Sequence, residues 1–347
     1  MSTPRHRSVL VEAARLYYLE GLDQAAAARR MGMTRSNFSR VLKAAREAGV
    51  IEFRINEAFA REQELEEDLA QALGLARAIV SDSESIDLGS PARLAAGVLA
   101  QGLSGARTVA ISWGSTIQAV IAALPPMHYP QLQVVQLVGG LTSFDSRVSA
   151  HDLVQELAGR LDARYLYLNC PAVFDSPDAL RTMQAESSVR DTLELARRAD
   201  VALVGIGNPS QGSSAALLGL LVPDASERDR VREAGVVGDV CGRYYDLEGR
   251  MAELPGITDR VLAIDAEALR RIPNTIGVAV GAHKAAAVVG AARAGLVKTL
   301  VCDAALARAA LARARERPRP HPAGRRRQAS AVHSAGASAR RRARPDT

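Results

Sequence analysis

The apolar residues between positions 22 and 49 follow the helical period in two segments that a glycine separates. Gln24–Met31 is rich in alanine and has no helix breaker, so it predicts a helix, and Gly32 can take the left-handed conformation that ends it. Thr34 can cap a second helix, which runs to Gly49. One face of this second helix is apolar and comprises Phe38, Val41, Leu42 and Ala45.

The opposite face of the second helix is basic and polar. Two helices joined by a tight turn, with a basic second helix, are typical of a helix-turn-helix, whose second helix lies in the DNA major groove. Arg pairs with guanine and Asn with adenine, so Arg35, Asn37 and Arg40 are candidates for base readout. The alternative is a solvated face on an ordinary helical hairpin. The predicted DNA contacts are Gln24, Thr34, Arg35, Ser36, Asn37, Ser39, Arg40 and Lys43.

The flanking segments extend this module. Ser8–Glu20 has apolar positions at helical spacing, and Val50–Ile55 is rich in β-branched residues and predicts a strand. Together they predict a winged helix-turn-helix over residues 1–56, in which Arg54 could touch phosphates. An acidic helix follows, with a leucine stripe, and we expect a linker helix over 57–75. Its stripe either docks on the next domain or pairs two subunits.

From residue 76 to about 310, short apolar strands alternate with helices. This alternation predicts a Rossmann-like α/β domain with a largely parallel sheet that is covered on both faces. The predicted strands are Ala76–Val80, Thr108–Ser112, Val134–Val138, Tyr165–Leu168, Val201–Gly205, Val261–Ile264, Ile276–Val280 and Thr299–Cys302. The predicted helices include Pro91–Leu103, Thr116–Leu124, Ser149–Leu161, Ser188–Ala199, Ser226–Ala234 and Lys284–Ala294.

Glycine-bearing turns follow four of these strands. Ligands of parallel sheets bind beyond the carboxyl ends of the strands, and Gly, Ser and Thr at a helix start form a cradle for anions. Such turns are also favoured for turn geometry and helix capping alone. A lysine in a first helical turn is unfavourable for the helix dipole, which favours a ligand role for Lys284. The predicted effector contacts of these turns are Gly114, Ser115, Thr116, Gly139, Gly140, Thr142, Gly205, Gly207 and Lys284.

The formal net charge of +6 over 347 residues is unevenly distributed. The tail from Arg313 contains eleven Arg and two acidic residues, which gives it +9 and leaves −3 for the remaining 312 residues. DNA affinity therefore requires a local basic patch. We expect disorder over 311–347, because the tail lacks apolar periodicity. No apolar run reaches membrane-spanning length, and the three cysteines lie far apart, so we expect a cytoplasmic protein without metal or cofactor.

In these ordered motifs the chain resembles the SorC/DeoR-type family of sugar-responsive transcriptional regulators, over roughly residues 8–307. Any one motif is weak, whereas the ordered set is specific. The motifs include Gly21-Leu22-Asp23-Gln24, Thr34-Arg35-Ser36-Asn37-Phe38-Ser39-Arg40, Ser112-Trp113-Gly114-Ser115-Thr116, Gly235-Val236-Val237-Gly238-Asp239-Val240 and Gly277-Val278-Ala279-Val280-Gly281-Ala282-His283-Lys284. The Arg-rich tail is a departure from the family pattern.

The resemblance implies an effector domain similar to sugar-phosphate isomerases and deaminases, a homo-oligomer that is commonly a tetramer, and binding of operator DNA as a repressor or activator. It also implies Asp239 at a sugar hydroxyl and Lys284 at the phosphate. We thus predict a DNA-binding regulator that is controlled by a phosphorylated sugar and has no catalytic residues. The alternatives are a sugar-phosphate isomerase or deaminase with an appended helix-turn-helix, and a DNA-binding protein with a ligand-blind oligomerisation domain.

Overall fold

The chain forms two compact units, Met1–Phe59 and Ala60–Thr347. The computed structural model describes residues 7–20, 22–50, 61–82, 88–141 and 149–316. Within these ranges no helix combines the length and apolar character needed to cross a bilayer, and no group of three or more His, Cys, Asp or Glu side chains is arranged to hold a metal ion.

The first unit contains three helices around a small apolar core. Helix α1 (Arg7–Ala14) continues into a π-helical turn (Arg15–Leu19), and α2 (Gln24–Arg30) and α3 (Arg35–Glu47) follow. The Asp23 carboxylate accepts the Ala26 N–H at 2.7 Å and so caps α2. The buried residues are Leu10, Ala13, Leu16, Ala27, Ala28, Phe38, Val41, Leu42 and Ala45.

The turn between α2 and α3 follows the predicted pattern. Gly32 has φ +64°, which is the left-handed conformation that ends a helix. The Thr34 hydroxyl accepts the Asn37 N–H at 3.2 Å and begins α3. The predicted apolar face of α3 is fully buried. Apart from Val50, the predicted strand with Arg54 lies outside the described residues.

A seven-stranded parallel sheet organises the second unit. Its strands are β1 (Arg77–Ser81), β2 (Thr108–Ile111), β3 (Gln133–Gln136), β4 (Arg164–Leu166), β5 (Val201–Gly205), β8 (Asn274–Val278) and β9 (Thr299–Asp303), with β6 (Val236–Val240) and β7 (Arg243–Asp246) in a separate hairpin. The order across the sheet is β1-β9-β8-β5-β2-β3-β4. Every described pair within it is parallel, so the predicted α/β class is confirmed.

Helices pack on both faces of this sheet and divide its apolar side chains into two large buried clusters. The described helices of this unit are α4 (Gln63–Leu73), α5 (Gly89–Gly102), α6 (Ser115–Ala123), α7 (Ala150–Leu161), α8 (Pro177–Ala185), α9 (Ser187–Arg197), α10 (Gly212–Leu221), α11 (Ala225–Glu233), α12 (Ala266–Arg271), α13 (Ala285–Arg293) and α14 (Ala304–Arg315).

Helix α4, the predicted linker, belongs to the second unit. Leu69 and Leu73 are buried in its larger apolar cluster. Glu66 is also buried, and its carboxylate accepts the Arg61 guanidinium at 2.7 Å and the Val80 N–H at 2.8 Å. These contacts fix α4 to β1, so the leucine stripe docks within its own chain, which is the simpler of the two roles considered.

Two expectations about elements of the second unit were wrong. Val261–Ile264 forms single bridges to Val138 and Val173 rather than a strand, because the Arg243 guanidinium takes the carbonyls of Ile264, Ala263 and Val261 at 2.9, 2.7 and 3.3 Å. Helix α14 continues to Arg315 with Ala310 and Leu311 buried, so the first residues of the predicted disordered tail are helical. Residues 317–347 lie outside the described ranges.

Candidate functional site

A cavity of about 190 Å³ lies at the carboxyl ends of three adjacent strands of the sheet. Strands β8, β5 and β2 are neighbours in that order, and each is followed by a turn that enters a helix. The lining residues are Ser112, Trp113, Gly114, Ser115, Thr116, Gly205, Ile206, Gly207, Asn208, Gln211, Gly212, Ser213, Ser214, Asp239, Cys241, Gly242, His283 and Lys284.

The sheet order explains why the cavity forms at this place. After β2 the chain continues outward through β3 and β4, whereas β5 lies on the other side of β2 and leads to β8 and β9. The connections therefore diverge between β2 and β5. A crevice opens at such a switch point in doubly wound sheets, and ligands of these folds bind there.

The turn after β2 forms one wall of the cavity. Gly114 has φ +123°, and α6 begins directly after it without a side-chain cap. The first N–H groups of α6 therefore remain available at the cavity. Ser112 ties this wall to the next strand, because its hydroxyl accepts the Gly205 N–H at 3.2 Å.

The turn after β5 leads into α10, which also begins without a side-chain cap. Gly212, its first residue, has φ +60°. The Asn208 side-chain amide donates to the His283 carbonyl at 3.1 Å, and this bond joins the β5 turn to the β8 turn. This side-chain hydrogen bond adds to the strand pairing that already joins these two walls.

The turn after β8 carries Lys284 at the start of α13. Gly281 has φ +94°, a conformation that favours glycine, and its N–H donates to the Asp303 carboxylate at 2.5 Å. Asp303 also caps α14 by accepting the Leu306 N–H at 2.8 Å. Burial lowers the pKa of Lys284, and the nearby Asp239 carboxylate opposes this shift.

The β6–β7 hairpin closes the cavity with Asp239. Gly207 and Asp239 exchange backbone hydrogen bonds of 2.8 and 3.3 Å, which fastens the hairpin to the turn after β5. The Asp239 carboxylate accepts the Ser214 hydroxyl and the Gly242 N–H, the latter at 3.0 Å. Burial raises the pKa of Asp239, while the Ser214 and Gly242 hydrogen bonds and the Lys284 ammonium oppose that rise.

The tip of this hairpin is a two-residue turn with both residues at positive φ. Val240 pairs with Arg243 across it, and Cys241 and Gly242 have φ of +55° and +70°. This geometry suits the twist of a hairpin and aims the Gly242 N–H at Asp239. Burial, reinforced by the Asp239 charge, raises the pKa of the Cys241 thiol to about 12, so that thiol is protonated at neutral pH.

Taken together, the cavity groups favour an anion. Three helices begin at it, and each contributes a partial positive charge. The first N–H of α13 is already paired with the Ala282 carbonyl, so the N–H groups at the starts of α6 and α10, which have no side-chain cap, are the ones left for a ligand. The Lys284 ammonium adds a full charge. The hydroxyls of Ser115 and Thr116 add polar contacts at the cavity wall, and such groups commonly fix the orientation of a bound small molecule.

Comparison with known proteins agrees with this geometry. The family described as "Putative sugar-binding domain" matches residues 57–312. The chain is 29% identical over 302 residues to the sorbitol operon regulator of Klebsiella pneumoniae, covering 84% of this chain and 94% of that protein. It is 30% identical over 300 residues to the transcriptional regulator LsrR of Escherichia coli K12, covering 85% and 92%. The crystal structure of full-length SorC from Klebsiella pneumoniae superposes with a TM-score of 0.77 and 27% identity, over 89% of this chain and 100% of that one.

This chain belongs to the SorC/DeoR-type family of sugar-binding regulators. The matched domain contains the cavity and every wall described above. It also includes α4, in agreement with the packing of that helix on β1. The family was predicted from the sequence, and the comparisons confirm it.

The cavity of this SorC/DeoR-type chain brings together most of the predicted effector residues. Three of the four glycine turns line it, and Asp239 and Lys284 lie beside them. The effector roles of these residues stay predictions. The predicted residues in the lining are Gly114, Ser115, Thr116, Gly205, Gly207, Asp239 and Lys284.

We expected all four glycine turns to meet in one pocket, but the fourth, which contains Gly139 and Gly140, does not line the cavity. Gly140 pairs with Pro171, and a Cβ on Gly139 would lie 2.5 Å from the Pro171 carbonyl oxygen. These glycines therefore allow two backbone segments to approach closely. Thr142 lies outside the described residues.

Several residues that line the cavity were not predicted from the sequence. Trp113 is the one tryptophan of the chain, and it lies inside a motif that was quoted only for its glycine and hydroxyls. The first turn of α10 and the hairpin tip were also missed, because neither element was predicted. A two-residue loop over Cys241-Gly242 is the signal that could have revealed the hairpin. The missed lining residues include Trp113, Asn208, Gln211, Gly212, Ser213, Ser214, Cys241 and Gly242.

Six of the eight predicted DNA contacts lie on the exposed side of α3. Thr34 caps this helix and is itself exposed, whereas Gln24 at the start of α2 is half-buried. The apolar side of α3 is buried, so its polar side is presented outward from this unit. The exposed residues of α3 among the predicted contacts are Arg35, Ser36, Asn37, Ser39, Arg40 and Lys43.

Gly207→Ala tests the tight approach of the hairpin to the turn after β5. A Cβ at position 207 would lie 2.8 Å from the Ser214 Cβ and would also collide with the Asp239 carboxylate. We expect the free energy of unfolding to fall by about 2 kcal/mol, measured by urea denaturation of the unliganded protein. Gly205→Ala is the matched control, because a Cβ at Gly205 meets nothing within 4 Å. Equal stability of the two variants would contradict this packing.

Proposed function

We propose that this chain is a DNA-binding transcriptional regulator whose second unit binds a phosphorylated sugar. The observation that supports this most strongly is the convergence of three helix N-termini and Lys284 on one cavity lined with hydroxyls. Phosphate groups bind at such helix starts. The relatives named above as a sorbitol operon regulator and as LsrR support the regulatory role.

The proposed DNA-reading surface is the exposed side of α3 in a winged helix-turn-helix. Its first turn is rich in groups that pair with base edges, namely Arg35 and Asn37, and Arg40 follows one turn later. Lys43 supplies charge for the phosphate backbone. The −3 net charge of the chain without its tail makes this local patch the source of DNA affinity.

The proposed control mechanism is a shift between two quaternary arrangements. A homo-oligomer, which we expect to be a tetramer, presents several α3 helices to operator DNA at a fixed spacing. A sugar phosphate that binds one arrangement better than the other changes that spacing and therefore the operator affinity. The output is repression or activation, and a protein that reads operator DNA in this way works in the cytoplasm.

The isomerase or deaminase alternative requires a positioned acid/base pair in the cavity. Asp239 and Lys284 lie close enough for their charges to interact. However, the Asp239 carboxylate is buried and already accepts hydrogen bonds from Ser214 and Gly242. We therefore assign Asp239 to holding the cavity together rather than to proton transfer. This assignment also departs from the sugar-hydroxyl contact that the family resemblance implies.

Lys284→Ala removes the ammonium group from the cavity. We expect at least about a tenfold loss of affinity for a sugar phosphate, since a charged hydrogen bond is lost. Trp113 lies in the cavity wall and is the one tryptophan, so its fluorescence gives the readout. Lys43→Ala, in the other unit, is the control and should leave this affinity unchanged. Equal affinity of Lys284→Ala and the unmodified chain would remove the lysine from the site.

Arg40→Ala removes a basic side chain from the proposed DNA-reading side of α3. We expect operator affinity to fall by about tenfold or more, because a bidentate contact to a base is worth about 1–3 kcal/mol, measured by fluorescence anisotropy at fixed salt.

Arg46→Ala is the matched control for Arg40→Ala. It deletes the same charge from an exposed position nearly two turns closer to the C-terminal end of the same helix, whereas base contacts come from the N-terminal residues of such a helix. If Arg40→Ala binds the operator as tightly as Arg46→Ala does, Arg40 does not read DNA.

A further inference from the structure

We propose that the Asp303 carboxylate passes the presence of a ligand in the cavity to helix α4, and through α4 to the chain segment that leads to the first unit. This inference rests on the proposed function, in which sugar-phosphate binding changes DNA affinity, and it adds the residue that couples the two sites. It follows from the position of Asp303 between the turn that carries Lys284 and the start of α14.

Asp303 is a buried carboxylate that joins two segments of the chain. It is the last residue of β9 and is 1% exposed. Its Oδ2 accepts the N–H of Gly281, in the turn that carries Lys284, at 2.5 Å. Its Oδ1 accepts the Leu306 N–H, in the first turn of α14, at 2.8 Å. A shift of either segment disturbs both bonds, because water cannot replace a lost partner at a buried carboxylate.

The turn at the cavity end of this link is in contact with a bound ligand. Lys284 lines the cavity, and its backbone N–H donates to the Gly281 carbonyl at 3.0 Å, so the two residues belong to one tight turn. The His283 carbonyl between them accepts the Asn208 amide at 3.1 Å, which ties the same turn to the wall after β5. A ligand held by the Lys284 ammonium therefore acts on the turn that Asp303 holds.

The other end of the link leads to α4. Helix α14 packs against the short 3₁₀ turn Ala282–Lys284 and against α4. The Arg308 guanidinium lies 3.5 Å from the Glu62 carboxylate, which immediately precedes α4. A close-packed interior transmits a displacement of one helix to its neighbour. The residues of α14 and α4 that share one buried apolar cluster include Leu306, Ala310, Leu311, Leu69 and Leu73.

Helix α4 fixes the residues through which the chain arrives from the first unit. The Glu62 N–H donates to the Val80 carbonyl at 3.2 Å. The Glu66 carboxylate holds the Arg61 guanidinium at 2.7 Å and the Val80 N–H at 2.8 Å. The first unit ends at Phe59, so a displacement of α4 is passed along the covalent chain towards the DNA-reading helices.

Asp303→Asn tests this link on the intact chain. An amide has one accepting oxygen, so in either orientation one of the two N–H groups loses its partner. The measured quantity is the coupling factor, which is the ratio of the dissociation constants for DNA with and without a saturating sugar phosphate. The DNA is a duplex selected from a random pool by the unmodified chain, and the ligands are ribose 5-phosphate, glucose 6-phosphate and fructose 6-phosphate. We expect the coupling factor to fall at least about threefold.

Asp303→Ser is the second variant, in case the buried amide of Asp303→Asn prevents folding. A serine hydroxyl caps a helix well, so α14 keeps its cap while the Gly281 N–H loses its acceptor. We expect a similar fall of the coupling factor. DNA affinity without ligand should be retained in both variants, since α3 belongs to the other unit. Urea denaturation verifies that each variant is folded.

Asp265→Asn is the matched control. Asp265 also caps a helix with one oxygen, which accepts the Ala268 N–H at 2.7 Å, while its other oxygen accepts the Arg197 guanidinium at 3.2 Å. This second bond joins α12 to α9 rather than the cavity to α14. The same change of a capping carboxylate to an amide should therefore leave the coupling factor unchanged.

The outcomes separate this inference from the proposed function. A lower coupling factor in a folded Asp303 variant, with Asp265→Asn unchanged, supports it. If the Asp303 variants couple as strongly as the unmodified chain, or if Asp265→Asn loses as much coupling, Asp303 is not the link although the function stands. If none of the three sugar phosphates alters the DNA affinity of the unmodified chain, the proposed control mechanism fails and this inference fails with it.

Discussion

The common direction of the seven strands is the constraint on which this domain depends. Parallel strands need long crossover connections, and here helices provide most of them. Every helix that follows a strand therefore begins at the same edge of the sheet. Three adjacent strands, β8, β5 and β2, bring three helix starts to one place. The positive potential of the cavity is a consequence of this topology, and Lys284 adds to it.

The hairpin outside the sheet adds a further wall to the cavity at this edge. It is fastened to the turn after β5 by backbone hydrogen bonds between Gly207 and Asp239. Burying the Asp239 carboxylate is costly, and the Ser214 hydroxyl, the Gly242 N–H and the Lys284 charge offset part of that cost. Loops from sheet and hairpin are thereby held together by these backbone bonds and by the Asp239 side chain. This explains why Gly207 leaves no room for a Cβ.

Much of this arrangement could be predicted from the sequence, because local signals determine it. Helical periodicity with Gly32 and Thr34 predicts α2 and α3, and apolar runs that end in glycine predict the strands beside the cavity. Strand order is set by long-range packing, so the sequence did not reveal that the Gly139–Gly140 turn lies outside the cavity lining. The β6–β7 hairpin was missed because Cys241, a residue that rarely adopts positive φ, occupies its turn. Val261–Ile264 has strand composition, but Arg243 takes its carbonyls.

The central claim is that anion binding in the cavity and DNA binding by α3 are coupled within one chain. Operator affinity measured on the intact protein, with and without a saturating sugar phosphate, tests it most directly. Linkage requires that the operator change sugar-phosphate affinity by the same factor, and we expect that factor to be about 5 to 150. An operator affinity that is identical with and without every sugar phosphate that binds the cavity would contradict the account.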